Sequence, residues 1–176
     1  MKVDVRPGKY VVAVSGGVDS MALLHMLAQQ SGSHYQLIAA HFDHGIRTDS
    51  TEDRTLVQQT AEQYNLPFEY GEGHLGPDAS EAKARGVRYA FLHRVVREHG
   101  ARAIITAHHR DDVLETAILN MLRGTGRKGL SSLKSQGDIL RPLLNFSKTD
   151  ILAYAQKHHL QWREDSTNCD QRYLRN

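Results

Sequence analysis

Short apolar segments alternate with amphipathic helical segments along nearly the whole chain. The apolar segments predict five strands, at Tyr10–Ser15, Gln36–Phe42, Pro67–Tyr70, Arg102–Ala107 and Ile139–Leu140. The periodic segments predict five helices, at Asp19–Gln30, Glu52–Asn65, Ser80–His99, Asp111–Arg123 and Ser147–His159. Because parallel strands are joined through helical crossovers, this alternation predicts an α/β fold with a doubly wound, parallel, five-stranded sheet.

The composition fits one soluble domain. The chain has 176 residues, of which 40% are hydrophobic and 24% are charged, and its net charge of +2 gives no general sign of a nucleic-acid-binding surface. Cys169 is the only cysteine, which excludes an internal disulfide and a paired-cysteine zinc or redox site. No apolar run reaches the ~18 residues of a membrane span, and the N-terminus lacks an apolar signal core. We therefore expect a cytoplasmic protein without a membrane partner.

A glycine pair follows the first predicted strand directly. Gly16 and Gly17 stand at the turn into the first helix, where the lack of Cβ atoms and the helix N-terminus suit a phosphate group. Ser15 and Ser20 add hydroxyl groups. Asp19 would repel a phosphate unless Mg²⁺ bridged the two. The alternative interpretation is a tight turn with an Asp that caps the helix.

Other nucleotide and metal motifs do not fit. Gly124 and Gly129 have the spacing of a Walker A loop, but Leu130 stands where that motif needs lysine. No GxGxxG follows the first strand, and no HExxH is present. These observations disfavour a P-loop NTPase, a dinucleotide-binding domain and a zinc protease.

A polar stripe is predicted after the fourth strand, in TAHHRDDVLET (106–116). If the segment is helical from His108 onward, His108, Asp112 and Glu115 share one face and could handle protons or bind an ammonium group or Mg²⁺. The alternative is a solvent-exposed helix start, where the helix dipole favours acidic residues. Apolar residues of this helix are expected to pack on the sheet: Leu114, Ala117, Ile118 and Met121.

These segments together resemble the PP-loop ATP pyrophosphatases, and most closely the tRNA(Ile)-lysidine synthetases. The resemblance is carried by SGGVDS (15–20), HFDHGIR (41–47), EAKARGVRY (81–89), TAHHRDDVLET (106–116), RGTGRKGL (123–130), RPLL (141–144), EDSTN (164–168) and the terminal YLRN. The departures are Asp43 for the usual Asn and Thr167 for the usual Ser. The resemblance implies an adenine nucleotide alpha hydrolase-like, Rossmann-like fold. It also implies one catalytic domain over 1–176, without the family's C-terminal tRNA-binding regions.

The resemblance implies a two-step ligation. ATP adenylates the C2 oxygen of the wobble cytidine in a tRNA(Ile) with a CAU anticodon, and free lysine then displaces AMP to give lysidine. ATP and Mg²⁺ are the implied cofactors. The resemblance does not decide whether the protein forms a homodimer or whether a chain of this length is active alone.

The resemblance also implies residue roles. The implied ATP-binding residues are Ala13, Ser15, Gly16, Gly17, Val18, Asp19, Ser20 and His41, with Mg²⁺ held by Asp19. Lysine would be bound by Arg88, Asp112 and Glu115, and tRNA phosphates by Arg123, Lys128 and Arg141. Asp19, His108 and Asp112 are the implied catalytic residues.

Three other functions remain open at this point. Thiolating relatives share the glycine loop, but they commonly use paired cysteines or an iron–sulfur cluster, which one cysteine does not supply. Amidating relatives lack the downstream motifs. A nucleotide-binding module without catalysis of its own is the third alternative.

Overall fold

Strands and helices alternate in the computed structural model, which describes residues 1–30, 35–45, 50–73, 80–122, 124 and 137–163. The strands are β1 (Gly8–Ala13), β2 (Tyr35–Asp43), β3 (Phe68–Glu72), β4 (Ala103–Ile105) and β5 (Ile139–Leu140). The helices are α1 (Val18–Gln30), α2 (Ser50–Gln63), α3 (Glu81–His99), α4 (Arg110–Leu122) and α5 (Lys148–Lys157). Every predicted strand and helix is confirmed, with ends displaced by up to two residues.

The strands form one sheet in the order β3-β2-β1-β4-β5, and every pairing is parallel. The chain extends the sheet from β1 toward β3, and then returns to the other side of β1 to add β4 and β5. The strand order therefore reverses between β1 and β4. Ligands of doubly wound folds bind at this switch point, beyond the carboxyl ends of the strands.

Helices cover both faces of the sheet. On one face, α1, α2 and α5 bury Val12 and Ile105 in a core that includes Leu24 and Ile151. On the other face, α3 covers Val11, Ile104 and their neighbours with Leu92 and Val95. His25 of α1 bonds the hydroxyl of Tyr154 in α5 through Nδ1 at 2.8 Å, which fixes these two helices together.

Helix α4 does not pack as predicted. None of its residues is buried, and Leu114, Ile118 and Met121 are 56%, 56% and 65% exposed. The expectation that these side chains and Ala117 pack on the sheet is wrong for the three exposed residues. The physical reason is that α1 and α5 already cover one face beside β4, and α3 covers the other.

Serine side chains cap two helices. In the sequence, Ser147 followed by Asp150 predicts the start of α5, and Asp78 with Glu81 predicts a capping box at the start of α3. The Ser147 cap is confirmed: its hydroxyl oxygen accepts the N–H of Asp150, and the Asp150 carboxylate accepts the N–H of Ser147. Ser80 caps α3 by accepting the N–H of Lys83, whereas Asp78 lies outside the described residues. Within the described ranges, no helix has both the length and the apolar character needed to cross a membrane.

Candidate active site

The glycine loop lies between the end of β1 and the start of α1, at the switch point. Gly16 has a φ of 96°, which L side chains rarely adopt. The Ser20 hydroxyl accepts the N–H of Ser15 at 3.1 Å and donates to the Gly17 carbonyl at 2.9 Å. The hydroxyls of Ser15 and Ser20 are 3.1 Å apart. Both predicted hydroxyl groups therefore brace the loop itself in this arrangement. Val18, the other predicted ATP-binding residue of the loop, is buried.

The loop is also held from outside by residues that the sequence did not single out. The backbone N–H of Arg163 donates to the Gly16 carbonyl at 3.0 Å. The Arg163 guanidinium forms an ion pair with Asp53, with Nε 2.9 Å from Oδ1, and a second pair with the more exposed Glu52. Asp53 packs directly against Gly16. The segment after α5 and the start of α2 thus fix the glycine loop, and no local sequence signal connects these positions.

Asp19 lies in the first turn of α1, where its carboxylate meets a lysine. The Nζ atom of Lys148 is 2.8 Å from Oδ1 and 2.7 Å from Oδ2 of Asp19. The backbone N–H of Lys148 donates to Asp111 Oδ2 at 2.8 Å. The first turns of α1, α4 and α5 therefore meet at one place beside the glycine loop.

His109 connects the glycine loop to the predicted polar stripe. Its Nε2 atom is 3.8 Å from Asp19 Oδ1 and 3.6 Å from Asp112 Oδ2. Asp112 Oδ2 also accepts the backbone N–H of His109 at 2.8 Å, which caps the start of α4. The sequence favoured His108, the other histidine of the pair. His109 also forms a backbone bridge with Leu143, a tertiary contact that a local sequence pattern does not reveal.

His108 precedes α4 and is not on its helical face. The condition for a shared face, a helix that begins at His108, is not met, since α4 begins at Arg110. The His108 Nδ1 atom is 2.9 Å from the Thr106 hydroxyl oxygen. Burial, together with the nearby positive charge of Arg141, lowers the pKa of His108 to about 4, although Asp112 opposes the shift.

Several predicted site residues come together around His108. Besides Arg141 and Asp112, the charges of Arg88 and Arg85 on α3 act on its pKa. The structure therefore brings His108, Asp112 and Arg88 into one neighbourhood at the carboxyl edge of β4. Glu115 lies one turn beyond Asp112 on the exposed side of α4.

The three residues predicted to contact tRNA have different outcomes. Arg141 is only 6% exposed, so it lies in the enclosed part of the site, which poorly suits a phosphate at an open surface. Arg123 and Lys128 lie outside the described residues. The tRNA contacts of all three stay predictions.

The two residues predicted to flank adenosine do not share one face of the sheet. Ala13 pairs with Ala40, and side chains alternate along a strand, so His41 points to the opposite face. His41 is buried and donates Nδ1–H to the Val14 carbonyl at 2.8 Å, and its ring stacks with Tyr70. Burial lowers the pKa of His41, so its ring is neutral and supports the end of β1.

The site fits a magnesium ion only together with phosphates. Across the described residues, no group of three or more His, Cys, Asp or Glu side chains could hold a metal ion by itself. Asp19 offers one carboxylate beside the glycine loop, and Mg²⁺ is often bound by one or two carboxylates plus substrate phosphates. Asp19 is therefore the residue that would hold it.

Comparison with known proteins decides the family. The family described as PP-loop domain matches residues 2–176. The chain belongs to the PP-loop family. This PP-loop chain is 44% identical over 172 residues to the tRNA(Ile)-lysidine synthase of Thermus thermophilus, covering 94% of the chain and 33% of that protein. It is 40% identical over 178 residues to that of Thermotoga maritima, covering 96% of the chain and 43% of that protein. The PP-loop chain thus spans between a third and a half of these relatives' length.

Solved structures support the PP-loop fold. The U34-tRNA thiolase of Methanococcus maripaludis has a TM-score of 0.77 at 20% identity, over 91% of this chain and 60% of that one. The NH3-dependent NAD synthetase of Campylobacter jejuni has a TM-score of 0.54 at 16% identity, over 86% of this chain and 64% of that one. At these identities the likeness concerns the fold alone.

Proposed function

We propose that this PP-loop domain catalyses the ATP-dependent ligation of lysine to C2 of the wobble cytidine in tRNA(Ile) with a CAU anticodon. The observation that carries the proposal is the position of His109 Nε2, 3.8 Å from Asp19 in the glycine loop and 3.6 Å from Asp112. A nucleotide site and an acidic site for an amine therefore adjoin. The names of the relatives, tRNA(Ile)-lysidine synthase, support the same reaction.

The first step is adenylation of the base. The glycine loop, from Ser15 to Ser20, binds the triphosphate through backbone N–H groups. The C2 oxygen of cytidine forms a bond to the α-phosphorus of ATP, and the bond to pyrophosphate breaks. Mg²⁺ on Asp19 would neutralise phosphate charge. Adenylation turns a poor leaving group into AMP.

The second step is displacement by lysine. Arg88 binds the lysine carboxylate, while Asp112 and Glu115 bind its ammonium groups. The deprotonated ε-amine forms a bond to C2, the C2–O bond breaks, and AMP leaves. The acidic residues hold the amine beside the activated base, which supplies the proximity that the reaction needs.

The pKa of His108 bears on its role. With a pKa of about 4, this imidazole is neutral near pH 7 and is a weak proton acceptor. It is therefore suited to hydrogen-bond the adenylated base. Proton removal from lysine would then fall to solvent or to the acidic residues.

The tRNA must present its cytidine unstacked, as enzymes that act on bases require. The three substrates are ATP, lysine and tRNA. We assign Arg123 and Lys128 to phosphate contacts with the tRNA, whereas Arg141, which the sequence also offered for this role, is buried beside His108 and is assigned to that part of the site. Because the relatives are more than twice as long as this chain, tRNA binding by this chain alone is part of the proposal.

The test combines ATP, lysine and unmodified tRNA(Ile) with the purified chain. We expect pyrophosphate and AMP release, and a tRNA nucleoside whose mass has increased by one lysine less water. Thiolation, or pyrophosphate release without lysine transfer, would contradict the proposal. Asp19→Ala is expected to abolish nucleotide turnover.

A second variant tests the lysine site. Glu115→Ala is expected to raise the KM for lysine at least tenfold with little change in the KM for ATP, since a lost charged hydrogen bond costs about 1.5–3 kcal/mol. Glu98→Ala on the exposed side of α3 is the matched control. Unchanged lysine kinetics in Glu115→Ala would show that the lysine site is misplaced.

A further inference from the structure

Lys148 forms an ion pair with both carboxylate oxygens of Asp19 in the candidate active site. Its Nζ atom is within 2.8 Å of both carboxylate oxygens of Asp19, although the two residues are 129 positions apart in the chain. The Lys148 side chain is 46% exposed and that of Asp19 is 28% exposed. The ammonium group is thus reachable from solvent while it covers the carboxylate beside the glycine loop.

The backbone of Lys148 is fixed by hydrogen bonds, whereas its partly exposed side chain has several rotatable bonds. Lys148 is the first residue of α5, and the reciprocal hydrogen bonds of Ser147 and Asp150 set where that helix begins. The Lys148 N–H is bound to Asp111 Oδ2 at 2.8 Å. Rotation about the side-chain bonds can therefore move Nζ by several ångströms while the Cα atom stays in place.

Structural stabilisation explains this contact poorly. Exposed lysine–carboxylate pairs contribute little to stability, because water and salt screen them. A lysine ammonium is, in contrast, a common ligand of phosphate groups, where it acts as a point charge. Lys148 stands at the meeting point of three helix N-termini, whose partial positive charges also favour an anion.

We propose that Lys148 is a phosphate-binding residue of the nucleotide site. Without nucleotide, it neutralises Asp19. With ATP bound, Asp19 would instead hold Mg²⁺, and the ammonium group of Lys148 then turns onto the β- and γ-phosphates. The inference rests on the proposed function, because it assumes that the glycine loop binds the triphosphate tail.

The decisive measurement compares ATP and AMP. Isothermal titration calorimetry at saturating Mg²⁺ gives the Kd of each nucleotide for the wild-type chain, Lys148→Met and Lys148→Arg. We expect Lys148→Met to weaken ATP binding about tenfold or more and AMP binding less than twofold, since AMP has no β- or γ-phosphate. Lys148→Arg keeps the charge and is expected to stay within about threefold of wild type.

Lys157→Met is the matched control, because Lys157 is exposed in the last turn of the same helix. Its ATP affinity is expected to equal that of wild type. Urea unfolding of each variant identifies any loss of folding. A purely structural role for Lys148 would weaken ATP and AMP binding equally, and that result would overturn the inference.

The remaining outcomes separate the two proposals. If the wild-type chain binds ATP and Lys148→Met binds it equally well, the inference is wrong and the proposed function stands. If the wild-type chain does not bind ATP at all, both are wrong.

Discussion

Arg163 donates its backbone N–H to the carbonyl of Gly16 at 3.0 Å, which joins the segment after α5 to the glycine loop after β1. The same arginine pairs through Nε with Asp53, and Asp53 packs against Gly16. Three distant parts of the chain therefore determine the shape of one turn. Since this turn is the proposed phosphate site, nucleotide affinity should respond to changes at residues that never touch the nucleotide.

The first prediction concerns Gly16 itself. Gly16→Ala is expected to lower the free energy of unfolding by about 1–2 kcal/mol, because its φ of 96° disfavours any residue with a Cβ atom. Urea denaturation measures the change. The control, Gly86→Ala, lies in the interior of α3 with open space around the new methyl group, and should stabilise the chain by about 0.5–1 kcal/mol. Equal effects of the two substitutions would contradict the strain argument.

The second prediction compares the two acidic partners of Arg163. Asp53→Ala is expected to cost about 1–3 kcal/mol of stability and to weaken ATP binding, because it leaves a half-buried guanidinium without its less exposed partner. Glu52→Ala removes the more exposed partner and is expected to cost about 0–1 kcal/mol. Urea denaturation and calorimetric ATP titration check both variants. An Asp53→Ala chain with wild-type ATP affinity would show that this pair does not position the loop.

The fold was largely predictable from the sequence because its signals are local. Apolar strands such as β1, the glycine turn and the Ser147 cap are each encoded within a few adjacent residues. The rule that ligands lie beyond the carboxyl ends of parallel strands then placed the glycine loop and the segment after β4 at one edge.

The contacts between the elements were not predictable in the same way. Lys148 contacts Asp19, and Arg163 contacts Gly16, although more than a hundred residues separate each pair. Contacts over such separations produce no periodic pattern in the sequence. The choice between His108 and His109 also depends on tertiary structure, because the 3.8 Å approach of His109 Nε2 to Asp19 Oδ1 joins the residue before α4 to the first turn of α1. The predicted packing of the apolar residues of α4 is wrong because periodicity indicates an apolar face but not which element covers it.

The third prediction follows from that exposed face. Ile118→Ala in α4 is expected to change the free energy of unfolding by less than about 0.5 kcal/mol, because the side chain is 56% exposed and alanine favours helix. Leu92→Ala in α3 removes a fully buried side chain and should cost about 2–5 kcal/mol. Chemical denaturation of both variants provides the comparison. A loss above 2 kcal/mol in Ile118→Ala would mean that α4 is packed in solution.

The last prediction uses the pKa of His108. Its folded-state pKa is about 4, whereas an unfolded histidine has a pKa near 6.5, so between these values the unfolded chain binds more protons. The contribution of the neutral His108 ring to the free energy of unfolding is therefore fully present above pH 6.5 and is lost as the pH falls toward 4. Relative to His108→Gln, which has no titrating ring, the wild-type chain is expected to lose about 1–3 kcal/mol between pH 7 and pH 4.5, as measured by urea unfolding across that range.

His159→Asn is the control, because His159 is exposed after α5 and asparagine tolerates its φ of 52°. If wild type and His108→Gln show parallel pH profiles, His108 is not held neutral by its surroundings, and its proposed role at the adenylated base loses its physical basis.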